Sequence, residues 1–252
     1  MTFELDIREG IDLSLFLFGS FQRHVVEVVR TLVPRDGVVI DVGANIGAIT
    51  LPVAAYLDHG HVYAAEPTDF AFQKLRVNLE LNPQLVARVT TVKTFIADRS
   101  APTSKLAAYS SWPVTGSGSE SPHHPIHGGV AKDAGCGQVT LDDLILSREI
   151  SRVDLVKIDT DGHEFAVLAG AARCLEEQRP VVVFEACEYL MRDPRLDFAA
   201  FAKLFDDHGY TICHGLPPRP MDATEFARSC PVGGGLDLIA LPRETLQRFS
   251  PA

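Results

Sequence analysis

Short apolar runs rich in β-branched residues recur along this chain, each followed by a stretch of helical periodicity. That alternation limits the possible folds more than any other feature. Residues 38–42 (VVIDV), 61–65 (HVYAA), 89–96 (VTTVKTFI), 153–158 (VDLVKI) and 181–185 (VVVFE) read as strands. Their near-continuous apolar character fits strands buried on both faces. Residues 21–33 place Val25, Val26, Val28, Val29, Leu32 and Val33 at mostly helical spacing, and 47–57, 69–81, 141–146, 164–177 and 198–207 also read as helices. Pro34, Asp36 and Gly37 stop the first of these; Asp69 can cap another, which Asn82-Pro83 ends. Residues 210–213 and 236–241 read as final short strands, separated by a loop holding Pro217, Pro218, Pro220 and Pro231. Strands alternating with helices imply parallel pairing through right-handed crossovers, hence a doubly wound, Rossmann-like α/β sheet. In such sheets ligands bind beyond the C-terminal ends of the strands, so the residues just after each strand carry the functional question.

The 252 residues fit one domain, 1–252, with an N-terminal helical segment at about 1–36 and a long loop at 99–138 rich in Ser, Gly, Pro and His. The formal net charge is −10, with no basic run, which argues against nucleic acid and against an anionic membrane surface as partners. No apolar stretch reaches the ~18–20 residues of a membrane-spanning helix. Glu4, Asp6 and Glu9 replace the basic start of a signal peptide. Five scattered cysteines suggest buried thiols rather than a disulfide framework or a cysteine zinc site. The expectation is a cytoplasmic protein acting on a small molecule; oligomeric state is not legible.

After the first strand the chain runs through Asp41, Gly43, Asn45 and Gly47. Glycines there let the backbone turn tightly and approach a ligand. The dinucleotide fingerprint G-x-G-x-x-G would need glycine where Asn45 stands, which weakens a pyrophosphate reading. Asp41 suits a ligand carrying ammonium or sulfonium charge. Glu66 ends the second strand nineteen residues after Gly47, where a carboxylate can hold a ribose diol. A plain turn and a solvated acid are the bland alternatives; the joint spacing favours the functional one. Asp98, after the third strand, suits an adenine contact or a turn cap equally.

The fourth strand leads into Lys157, Asp159, Asp161, His163 and Glu164. Asp159 can orient a substrate or ligate a metal, and His163 can serve as general base. Glu164 fits better as a helix-dipole acid, and Lys157 as an ion-pair partner. Glu185, at the tip of the fifth strand, is a further candidate for the same cleft. His123, His124 and His127 invite a metal reading without helical register to preform a site, and Trp112 lies in the same segment as a substrate cover or a loop anchor.

The segments VVIDVGANIGAIT (38–50), VYAAEP (62–67), VTLDDLI (139–145), DLVKIDTDGHEFAVLAGA (154–171) and RPVVVFEACE (179–188) resemble the FkbM-type methyltransferases, which are class I enzymes dependent on S-adenosylmethionine (SAM). The likeness runs from about residue 24 to 243. The IDVGANIG block is common to class I methyltransferases; the TLDDL and KIDTDGHE blocks together are more diagnostic. The resemblance implies a seven-stranded sheet with an antiparallel last strand. It implies that Asp41, Gly43, Asn45 and Gly47 wrap the methionine part of SAM, that Glu66 holds the ribose, that Asp98 lies near the adenine, and that Asp159 stands at the transfer site. The family often carries Glu where this chain has Asp161.

The leading expectation is O-methylation of a hydroxyl on a natural-product or sugar-type molecule, with Asp159 or His163 as the base and positioning supplying much of the acceleration. Methylation of a small-molecule amine is the alternative. Less favoured are a nucleotide-dependent oxidoreductase and a non-catalytic SAM-binding protein. Asp159 and Asp161 would suit a divalent ion, though spacing alone does not require one.

Overall fold

Seven strands carry the architecture: β1 (Val38–Val42), β2 (His61–Ala65), β3 (Val89–Val92), β4 (Leu155–Ile158), β5 (Val181–Ala186), β6 (Tyr210–His214) and β7 (Leu236–Pro242). They come from a computed structural model that describes residues 1–103, 107–109, 114, 131–133, 135–187, 196–231 and 234–249. An edge strand, Arg219–Pro220, completes an eight-stranded sheet in the order β3, β2, β1, β4, β5, β7, β6, edge. The pairs from β3 to β5 are parallel. Those joining β5 to β7, β7 to β6 and β6 to the edge strand are antiparallel. The chain is therefore α/β with a mostly parallel sheet, and the strand order reverses beside β1.

Alternate residues of each central strand enter opposite cores. Ile40 and Val42 of β1, Val156 and Ile158 of β4, and Val182 and Phe184 of β5 face one layer. Val39, Leu155, Val181 and Val183 face the other. This two-sided burial explains why the strands read as unbroken apolar runs. Helices cover both faces: α1 (Gly10–Phe18), α2 (Arg23–Leu32), α3 (Thr50–Tyr56), α4 (Asp69–Glu80), α5 (Leu141–Ser147), α6 (Glu164–Ala169), α7 (Phe198–Asp207), α8 (Ala223–Ser229) and α9 (Arg243–Leu246). Four valines of α2 are buried, each worth about 1.5–3 kcal/mol of transfer free energy.

Several expected elements come out differently. The strand expected over 89–96 breaks after Val92. Phe95–Ile96 leaves the main sheet and pairs with Gln138–Val139. The helix expected over 164–177 ends at Ala169, and a π-type turn, Cys174–Gln178, follows. A Cβ at Gly170 would stand 2.2 Å from the Ala97 carbonyl, so the chain passes too close there for any side chain. Asp142 accepts hydrogen bonds from the backbone N–H groups of Arg173 and Cys174 (both 2.9 Å), starting the new turn. Thr140 caps α5 through the Asp143 N–H at 3.0 Å. The TLDDL block is thus a pair of capping devices. The proline-containing loop between β6 and β7 holds the edge strand and α8, which is capped by Asp222. Trp112 and the His123–His127 cluster lie outside the described residues.

Candidate active site

Beyond the C-terminal ends of β1, β2 and β4 lies a cleft with roughly 700 Å³ of space, counted to its open mouth. A cleft of this size holds a cofactor-sized ligand. Its floor is the turn after β1. The N–H groups of Gly43 and Ala44 both donate to the Ala65 carbonyl at 3.0 Å, tying that turn to the end of β2. Gly43 has φ +77°, and a Cβ there would sit 1.9 Å from the Asp159 carbonyl oxygen. Only glycine lets the loops after β1 and β4 approach so closely. Asn45 is left-handed (φ 48°), and its side-chain oxygen accepts from the Ile46 N–H at 2.8 Å. Asparagine tolerates this backbone better than most residues, so it can replace a glycine.

Glu66 is 3% exposed and faces the cleft. Its Oε2 accepts from the Asn45 N–H at 3.1 Å. Its Oε1 accepts from the Thr68 N–H at 2.9 Å and the Thr68 hydroxyl at 2.5 Å. Burial pushes its carboxyl up to about 6, against the pull of those donors and of Lys157. Thr68 is the N-cap of α4, yet its hydroxyl serves Glu66 rather than the helix. Asp69, expected as the cap, sits in the first helical turn.

Asp41 does not line the cleft. Its Oδ2 accepts from the Thr50 hydroxyl at 2.6 Å. Its Oδ1 lies 3.1 Å from Lys157 Nζ. The neutralising charge already present means that Asp41 does not present a bare carboxylate to a cationic ligand. Lys157 also donates to the Gly43 carbonyl at 2.9 Å and stands 3.8 Å from Asp159 Oδ2. Burial alone would lower its pKa, but Asp41 and Asp159 hold it above the ordinary lysine value.

Asp159 and Asp161 both line the cleft. Burial raises the carboxyl of Asp159, partly offset by Lys157. Burial and the neighbouring Asp159 push Asp161 up to about 8. Asp161 and Gly162 are both left-handed (φ 53° and 98°). Glu164 braces this turn, accepting from the Thr160 N–H (2.8 Å), the Thr160 hydroxyl (2.9 Å) and the Gly162 N–H (3.1 Å). Among the described residues no group of three or more His, Cys, Asp and Glu is arranged as metal ligands. Among those residues, no third completes Asp159 and Asp161.

Besides Asp41, four candidates are not brought into the cleft lining: Gly47, where a Cβ would meet the side chains of Leu51 and Leu75 at 2.7 Å, and His163, Asp98 and Glu185. His163 is 6% exposed and packs edge-on against Phe95, ring centroids 5.0 Å apart. Asp98 is exposed and reaches Arg99 at 3.5 Å. The break after Val92 explains both: Phe95–Ile96 swings inward, carries buried Ala97 with it, and turns Asp98 out. Thr94, Phe95 and Ile96 form that wall instead. Glu185 lies one strand further on, in register with Asp237. Burial and the surrounding acids push it up to about 9.

The N-terminal segment roofs the cleft, which the sequence did not announce. Ile11, Phe21 and Gln22 line it. Asn82 and Asn78 of the α4 region clamp the backbone of Thr2 and Glu4 at 2.9 and 2.8 Å. Buried Asp12 pairs with Lys74 of α4. Asparagines pointing inward from α4, and Asp12 in an apolar helix, are the signals that could have found this roof. No helix among the described residues is long and apolar enough to cross a membrane.

Comparison with known proteins bears on this cleft. The family model of the methyltransferase FkbM domain matches residues 41–212. A curated relative, hexuronic acid methyltransferase AglP of Haloferax volcanii, is 26% identical over 163 residues, covering 64% of this chain and 61% of the relative. The chain thus spans less than two thirds of that relative's length. Among solved structures, methyltransferase FkbM from Methylobacillus flagellatus KT superposes with a TM-score of 0.52 at 16% identity, covering 82% of this chain and 44% of the other. At that identity the likeness speaks to the fold.

Proposed function

This chain belongs to the FkbM methyltransferase family, and on that premise we propose that it transfers a methyl group from SAM to a hydroxyl of a sugar-type or other small molecule. The family leaves no ground for the oxidoreductase alternative. The observation that carries the reading is the placement of Glu66 and Asp159 after β2 and β4, flanking Gly43, Ala44 and Asn45 of the turn after β1 in one cleft. The donor set fits the cofactor. A buried carboxylate suits a ribose diol, the apolar wall at Phe95 and Ile96 suits a flat heterocycle, and the acids near β4 suit a sulfonium.

SAM, when bound, supplies a methyl group already activated by its positive sulfur. The chain's own groups do the rest. The turn from Gly43 to Asn45 brings backbone rather than side chain to the cofactor. Glu66, its plane fixed by Asn45 and Thr68, would hold the ribose hydroxyls. Asp41 acts at one remove, holding Lys157 beside Asp159. Asp159 would take the proton of the attacking hydroxyl, and its raised pKa brings it nearer the pH at which a general base works best. His163, packed behind Phe95, is not placed for that role.

The curated relative is named for hexuronic acid, which makes sugars the first class to test. A second reading, transfer to an amine, is favoured by the acids at Asp159 and Asp161, because an ammonium group beside them would offset the burial that raises both carboxyls and draw them toward the ionised form. Calorimetry with SAM and S-adenosylhomocysteine, followed by a screen of neutral sugars, hexuronic acids and amino sugars with methyl-labelled SAM, tests both. Absence of cofactor binding at millimolar ligand would sink the assignment. Label found on nitrogen would replace the first reading with the second.

A further inference from the structure

Gln22 lies in the turn between α1 and α2 with a left-handed backbone (φ 40°, ψ 51°). A residue with a side chain is strained there, and glycine would not be. The side chain reaches the far wall of the cleft, where Nε2 donates to Asp159 Oδ2 at 2.9 Å. The other end of the same amide, Oε1, is buried without a hydrogen-bond partner among the described residues. An unpaired buried acceptor adds a further cost to the strained backbone. Strain of this kind persists where the side chain serves a site.

We propose that Gln22 is a positioning residue of the methyl-acceptor site: its N–H holds the Asp159 carboxylate in place, and its amide oxygen accepts a hydrogen bond from a hydroxyl or ammonium of the acceptor molecule. This rests on the methyl-transfer reading above. It extends that reading to substrate chemistry, because the acceptor must then carry a hydrogen-bond donor beside the group that is methylated. The charges around Asp159 come from every side: Lys157 and Asp161 nearby in the chain, Asp41 from β1, Asp237 from β7, and Glu164, Glu185 and His24 further out. Gln22 adds a directed hydrogen bond to that field, which fixes the carboxylate's orientation as diffuse charge does not. A donor on the cofactor would satisfy the same oxygen, so the test must separate the two.

The variants are Gln22→Gly, which suits the left-handed turn, and Gln22→Leu, which keeps bulk without the amide. The full chain would be labelled at aspartate Cγ and the Asp159 resonance assigned by Asp159→Asn. In both variants the Asp159 titration midpoint should rise by about half a pH unit or more, because a donor to the ionised form is lost. Gln22→Gly should melt no lower than wild type, and S-adenosylhomocysteine affinity should stay within about twofold. With a sugar active in the screen, its KM should rise about tenfold in Gln22→Leu while that of SAM holds. An unchanged Asp159 midpoint overturns the clamp. A tenfold loss of S-adenosylhomocysteine affinity overturns the acceptor assignment. Wild-type protein that fails to bind S-adenosylhomocysteine defeats the methyl-transfer reading, while the Asp159 titration still decides on the clamp.

Discussion

Lys157 reaches across from β4 to Asp41 on the adjacent strand, Nζ to Oδ1 3.1 Å, with both side chains almost wholly buried. The two residues are opposite one another in the β1–β4 register. The pair sits directly under the turn that begins at Gly43, and Lys157 also holds that glycine's carbonyl. A cation inside an apolar strand thus ties together two strand ends on which the cleft depends.

Removing one partner of such a pair leaves a buried charge without compensation. Lys157→Met should cost about 3–5 kcal/mol of stability, read from urea denaturation. The double variant Lys157→Met, Asp41→Leu should recover much of that loss. Equal stability of wild type and the single variant would show that the pair does not stabilise the fold.

Gly43→Ala should be among the most damaging of small substitutions. The added methyl group would meet the Asp159 carbonyl at 1.9 Å, from a backbone with φ +77°. Left-handed strain and overpacking together predict a loss of about 2–4 kcal/mol. Thermal melting checks this; a fall in Tm of less than about 2 °C would contradict it.

Thr68→Val removes a hydroxyl that donates to Glu66 at 2.5 Å and changes little else in shape. With one donor to its ionised form gone, Glu66 should titrate above its present value of about 6. If the ionised form binds the ribose diol, the rise of cofactor affinity with pH should shift to higher pH in the variant. Calorimetric titrations between about pH 5 and 8 would read the shift.

Glu66, Asp161, Glu164 and Glu185 are pushed up to about 6, 8, 7 and 9. For a carboxyl raised in the folded state, the native protein binds more protons than the unfolded chain, so its stabilising contribution falls as pH rises. That contribution is complete below their ordinary values near 4 and is lost progressively up to about 9. The urea midpoint should therefore decline across this window. Glu185→Gln, which cannot ionise, should decline less steeply. Parallel curves would remove Glu185 from the account.

The strand ends were the most legible part of this chain. Ile40, Val156 and Val183 lie in strands buried on both faces, so periodicity could find them and the topology rule could direct attention to Glu66 and Asp159. Asp98 and His163 were misplaced by one event, the break after Val92. Lys93 and Thr94 gave only a weak hint of that break inside a stretch that otherwise alternates like a strand. Asp41 stands at a strand end and Lys157 is an ion-pair partner, as the sequence suggests, but that the two pair with each other follows only from the strand register. Gln22 had no signal, because its role depends on a contact 137 residues away and on a backbone angle that no residue pattern announced.

The family match begins at residue 41, whereas the roof of the cleft is built from residues before it, with Ile11, Phe21 and Gln22 on its inner side. Two relatives can therefore share every strand-end group and still admit different molecules. What the family shares thus bears on the floor of this site, while the residues that roof it in this chain stand outside the matched stretch.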